Sequence, residues 1–145
     1  MNAYIDQQTG KVIVIHLDRG DLLLESVETI LGEYGIRNAI LTSCIGTLNE
    51  VSMHFNSSTS AMPNDEFMQM QGAYEIGSMS GMVLDGRAHF HFVISNGGQG
   101  SIAGHVENGC VVQNLAEISL IELPNVDLVR KKNEFGVNSI ATRCE

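Results

Sequence analysis

The sequence predicts an α+β fold: a mixed, largely antiparallel sheet of about seven strands flanked by one main helix. Three observations predict it. One stretch repeats its apolar residues at helical spacing, the chain after it reads at strand spacing, and an Asp-Gly pair joins two apolar runs as a hairpin.

Residues 11–17 (KVIVIHL) are a β-branched run and read as a strand. Gly20-Asp21 opens the helix, with Asp21 as its expected N-cap. Leu23, Val27, Ile30, Leu31 and Tyr34 recur on one helical face, while Glu25, Glu28 and Glu33 fill polar positions. Gly35 followed by Ile36 predicts the stop, a glycine able to turn left-handed and an apolar residue folding back. Residues 38–45 and 51–55 read as strands, and 56–66 (NSSTSAMPNDE) as a polar loop. Residues 67–71 and 74–84 are two further strands, the second interrupted by Gly77 and Gly81, which suggest bulges or close backbone approach. Asp85-Gly86 turns the chain into a strand over residues 87–95. A glycine-rich loop over 96–104 and a long strand over 110–123, ended by Pro124, complete the expected elements. No internal repeat or linker is apparent, so residues 1–145 are expected to form one domain with a core over 11–124 and a polar tail over 125–145.

Bulk properties narrow the function. No apolar run approaches the ~20 residues of a membrane-spanning helix, and the N-terminus MNAYIDQQTGK lacks a basic start and greasy stretch. The three cysteines, Cys44, Cys110 and Cys144, are odd in number and widely spaced, which points to a reducing cytoplasm rather than a disulfide framework. The net charge is −9, and between Asn38 and Val129 the only basic side chain is Arg87, against nine carboxylates. Nucleic-acid affinity rests largely on neutralising phosphates with Lys and Arg, so this surface is expected to repel a duplex. A short basic cluster at Arg130, Lys131 and Lys132 reads as a solvated terminal group.

The chemistry concentrates near the hairpin. In Ala88-His89-Phe90-His91-Phe92, side chains alternate between faces, so His89 and His91 share one face, roughly 6.6 Å apart at the backbone from ~3.3 Å of rise per residue. Phe90, Phe92 and Ile94 point the other way. Two imidazoles so placed can converge on one divalent ion, and they can equally line a solvated sheet face. The candidate third ligand is His105, which follows the glycine-rich loop and is free to swing back. Three neutral imidazoles plus water make an open metal site. His16 and His54 are lone histidines in other strands and read as structural. The His-x-His pattern of cupins expects a carboxylate three or four residues after the second histidine, where Ile94 and Ser95 stand here. Gly97-Gly98-Gln99-Gly100 has no Lys and no following helix to cradle phosphate.

Taken in order, Leu17-Asp18-Arg19-Gly20-Asp21, Gly35-Ile36, Ser43-Cys44-Ile45-Gly46-Thr47-Leu48, Gly72-Ala73-Tyr74-Glu75-Ile76, Ser80-Gly81, His89-x-His91, Gly104-His105 and Ala116-Glu117 resemble the PPC domain, the domain conserved in plants and prokaryotes. The resemblance implies one mixed sheet flanked by a helix, a homotrimer, and, in stand-alone prokaryotic members, a histidine metal cluster falling on His89, His91 and His105. The plant proteins' Arg-Gly-Arg-Pro AT-hook is absent, and Gly72-Ala73-Tyr74-Glu75-Ile76-Gly77 lacks the arginine of their partner-contacting Gly-Arg-Phe-Glu-Ile-Leu segment. Two functions are therefore expected to compete. One is a divalent-metal protein, with zinc as the expected ion, that binds or processes a small molecule, with Arg87 and Glu75 as substrate or supporting groups beside the histidines. The other is a DNA-binding, regulatory or protein-interaction module without catalysis.

Overall fold

The computed structural model describes residues 10–98 and 100–144. Residues 1–9 of the N-terminal stretch read above for a targeting signal, and Gln99 of the glycine-rich loop, lie outside them. Strand β1 (Val12–Asp18) leads into helix α1 (Leu23–Glu33). The helix buries Leu23, Leu24, Val27 and Leu31 against the sheet. Asp21 is not its cap: Leu22 holds that position without a side-chain hydrogen bond. The reason is local. Leu22 is extended and bridges Val111, and the Leu23 amide donates to the Cys110 carbonyl at 2.9 Å, so the sheet fixes the helix entry. Asp21 instead accepts from the Asp18 amide at 2.9 Å and closes the preceding turn. The C-terminal stop is as expected: Gly35 has φ +67°, and the Ile36 amide returns to the Leu31 carbonyl at 2.8 Å with Ile36 buried.

Beyond the helix come β2 (Ala39–Asn56), β3 (Asp65–Leu84), β4 (Arg87–Ser95), β5 (Ser101–Val106) and β6 (Val111–Glu122). The sheet order is β1-β6-β2-β3-β4-β5, and β5 also pairs β2 through Met53↔Val106 and His54↔His105. Every pairing among the described residues is antiparallel, where the sequence reading allowed a mixed sheet. Strands β2 and β3 each span two of the expected strands. At 18 and 20 residues they are too long to stay straight, and bulges at Leu48/Glu50 and Ile76/Ser78 bend them. One half of β2 therefore pairs β6, while the other half curls round to meet β5. Asp85 and Gly86, both at positive φ, form the tight turn between β3 and β4. The core fills the side of β4 that carries Phe90, Phe92 and Ile94. The opposite side of that strand carries His89 and His91.

After Pro124 the chain does not run out as a polar tail. It forms a hairpin of β7 (Leu128–Lys132) and β8 (Asn138–Thr142). Leu128 and Val129 are buried. The Asn38 side-chain amide donates to the Val126 carbonyl at 2.6 Å, and Arg143 reaches both Asp127, at 3.1 Å, and Asp85 in the β3–β4 turn. These contacts fasten the hairpin to Asn38 and to the β3–β4 turn, and β7 lies against β3. Among the described residues no helix is long and apolar enough to cross a membrane.

Candidate metal centre

Strand alternation does what the sequence implies for the first pair. His89 and His91 share a face of β4, with their Nε2 atoms 3.2 Å apart and their rings 5.2 Å apart. His105 reaches them by a route the sequence reading missed. It does not swing back on a loop: it lies on β5, directly opposite His91 in the antiparallel register. Residues directly opposite in such a pair project to the same face. The His105 ring therefore stands edge-on to His89 at 4.5 Å and to His91 at 5.3 Å. One nitrogen from each of the three rings lies within 4.8 Å of the others.

That donor set suits zinc. At ~2.0–2.1 Å per Zn–N bond and tetrahedral angles, two ligand nitrogens sit about 3.3–3.4 Å apart, close to the His89–His91 separation. The rings are also biased toward the neutral form that a metal requires. Burial first, then the charge of Arg130 and the neighbouring imidazoles, pushes the His89 pKa down to about 4. His105 is pushed down to about 4 by burial and then His54, with Glu107 pulling the other way. His91 is lowered too, by burial and then His54, although part of its ring faces solvent.

His54, read from sequence as an isolated strand histidine, belongs to this cluster. Its ring stacks on His105 at 4.4 Å because the two residues are paired across β2 and β5. Its Nδ1 lies 2.6 Å from Glu107 Oε1, so the carboxylate fixes the ring's orientation. His54, His105 and Glu107 make a second group of donor atoms within 4.8 Å of one another. Gly104 explains how β5 comes so close to β2. A Cβ there would stand 2.2 Å from Met53 Cε and 2.7 Å from the His54 carbonyl oxygen.

The two proposed supporting residues are not brought to the cluster. Arg87 turns to the helix, its Nη1 3.1 Å from Glu28 Oε2. Exposed Glu75 pairs with Ser95, four residues along β4 from His91, or roughly 13 Å at ~3.3 Å per residue. His16 is exposed and keeps company with Asp18 and Glu117. Arg130 of β7 is the basic side chain whose charge helps to lower the pKa of both His89 and His105. No sequence signal singled it out, because the hairpin that delivers it reads as polar tail.

The model of the Plants and Prokaryotes Conserved (PCC) domain matches residues 4–124 of the sequence. Solved structures share the fold. A metal-containing protein from Archaeoglobus fulgidus superposes with a TM-score of 0.82 at 22% identity, covering 96% of this chain and 98% of that one. A plant- and prokaryote-conserved protein from Pyrococcus horikoshii gives 0.81 at 25% identity, with 95% of each chain covered. A Bacteroides thetaiotaomicron protein, provisionally described as DNA-binding, gives 0.77 at 16% identity, covering 97% of this chain and 98% of that one. No curated protein is found to match the sequence.

Proposed function

The chain belongs to the Plants and Prokaryotes Conserved domain family, and from that premise we propose that it is a single-domain, homotrimeric, divalent-metal-binding protein. Zinc is its ion, and it binds or processes a small molecule. One observation carries the reading: three imidazole nitrogens, donated by β4 and β5, lie within 4.8 Å of one another while their protonation is disfavoured. His89, His91 and His105 hold the ion, and Glu107 steadies the array through His54 and its stacked neighbour His105. A bound zinc supplies Lewis acidity and acidifies a water in its open position. The surrounding residues of this chain keep the imidazoles neutral and fixed in direction. Three unpaired cysteines support a reducing compartment, the cytoplasm. The homotrimer follows the family resemblance, and exposed Val12, Val14 and Ile45 on the β1–β6–β2 side offer apolar surface for contact between copies.

Metal analysis of protein purified without a nickel column tests this reading. About one zinc per chain is expected, carried by a species of three times the 15.7 kDa chain mass in sedimentation. His91→Ala and His105→Ala each reduce the zinc content at least tenfold. Substoichiometric metal, with a melting temperature indifferent to added zinc, would overturn it. The competing DNA-binding reading is favoured by the description of a structural neighbour, and the charge distribution weighs against it.

A further inference from the structure

We propose that His54, His105 and Glu107 form a second cation seat, which takes a divalent ion that favours an oxygen ligand, manganese or ferrous iron. It shares His105 with the three-imidazole seat and needs neither His89 nor His91.

Two strand rules bring the groups together. His105 and Glu107 are two apart in the His-Val-Glu run at the end of β5, so their side chains leave on one side while Val106 between them is buried in the core. His54 is the cross-strand partner of His105 and projects to that same side. The Glu107 amide donates to the Ser52 carbonyl at 3.0 Å, which holds this residue against β2 just past the last residue of β5. Glu107 Oε1 in consequence lies 2.6 Å from His54 Nδ1 and 4.0 Å from His105 Nε2. One donor atom from each of the three residues lies within 4.8 Å of the others. The two imidazoles stack at 4.4 Å, so they meet the carboxylate side by side.

Two imidazoles and one carboxylate on one side of an ion, with its other positions open, are the donor set of mononuclear ferrous centres. At ~2.1 Å per bond and right angles between bonds, ligand atoms stand about 3 Å apart, between the 2.6 Å and 4.0 Å seen here. Glu107 is half-buried, and its flexible side chain closes the set by moving about 1 Å toward His105. The proton that joins His54 to Glu107 stands where the ion would. The other His54 nitrogen, Nε2, faces Asp65 Oδ1 at 4.0 Å, a carboxylate placed to orient a ligating imidazole from behind. Chemistry separates the two seats. Glu107 brings a negative charge and an oxygen to its ion, which suits manganese, whereas imidazoles alone suit zinc.

Manganese(II) added to metal-free protein, followed by loss of the free ion's electron paramagnetic resonance signal, tests this. About one manganese per chain is expected in wild type, and with unchanged affinity in the double variant His89→Ala/His91→Ala. Glu107→Gln keeps an oxygen to accept the His54 N–H, so the local structure stands, but it removes the charge. It weakens manganese binding about tenfold or more, as does His54→Ala, while zinc at the three imidazoles is retained in Glu107→Gln. His105→Ala weakens both ions. Melting curves of the metal-free variants check that each is folded. Manganese affinity indifferent to Glu107→Gln and His54→Ala overturns the proposal. So does affinity lost with His89 and His91 but kept without Glu107, which puts the ion on the imidazoles alone. Tight zinc with no manganese uptake removes this seat and leaves the three-imidazole reading standing. Manganese uptake by the double variant sustains this seat even where zinc fails to bind the three imidazoles.

Discussion

Protonating His89 or His105 places a charge in a half-buried site that already feels Arg130, which is why both titrate near pH 4 rather than at the ordinary value near 6.5. The sign for stability follows. Between about pH 6.5 and pH 4 the unfolded chain binds protons that the native chain refuses, so the metal-free protein is expected to lose stability as pH falls through that window and to level off below it. Melting curves from pH 8 to pH 4 measure this. Zinc affinity, which requires neutral imidazoles, is expected to stay nearly flat from pH 8 to about pH 5. Competition with a chelator at each pH checks it, and an affinity falling steeply already below pH 6.5 would show ordinary, solvated histidines. At this scale the His89–His91 pair was legible, because alternation along one strand is a local rule; His105 was named as the third candidate, but its route on β5 opposite His91 was not. His54 was not legible. Its place depends on pairing with His105, far along the chain, and no periodicity encodes a register between strands that distant. Arg130 was hidden for the same reason.

The element that decides whether the imidazoles meet is β5, and within it Gly104. The six residues Ser-Ile-Ala-Gly-His-Val are a short run interrupted by a glycine and preceded by Gly97, Gly98 and Gly100, so the segment reads as the end of a glycine-rich loop. In the fold that glycine is what lets β5 lie against β2. Gly104→Ala is therefore expected to push the strands apart, since the new methyl would stand 2.7 Å from the His54 carbonyl oxygen, a backbone atom that cannot rotate away. A loss of roughly 1–3 kcal/mol of stability is expected from such overpacking. Zinc affinity should drop more than tenfold, because His105 moves with its strand. Gly98→Ala is the control, as a Cβ there meets nothing within 4 Å. Denaturation and chelator competition on both variants measure the difference, and an unchanged affinity in Gly104→Ala would mean that β5 adjusts without moving its histidine. Helix α1 and the Asp85-Gly86 turn, by contrast, were legible because each is specified within a few residues: apolar spacing and a glycine stop for one, two positive-φ positions for the other. The long strands β2 and β3 each read as two because bulges and glycines break the alternation that marks a single strand.

For the whole molecule, charge separates the two functions. Of the eight Lys and Arg side chains, Lys11, Arg37, Arg87 and Arg143 lie within ion-pair distance of carboxylates, and Arg130 is half-buried. The remaining three are exposed: Arg19, before the helix, and Lys131 and Lys132, adjacent residues whose side chains leave β7 on opposite faces. Seventeen carboxylates surround them. Each phosphate neutralised on a duplex contributes about −0.9 to the slope of log affinity against log salt, so three such side chains allow a slope no steeper than about −3. Duplex DNA is accordingly expected to show no retention at ~0.15 M salt, where exposed charges more than ~8 Å apart are already screened. Fluorescence anisotropy on a labelled duplex across a salt series measures both quantities. A slope of about −5 or steeper would require several more phosphate contacts than this chain can offer alone, and would make a copy-to-copy assembly of the β7 ends the DNA-binding surface. A shallow slope would weigh against the nucleic-acid reading and leave the grouped imidazoles of β4 and β5 as the place where the proposed metal chemistry is to be sought.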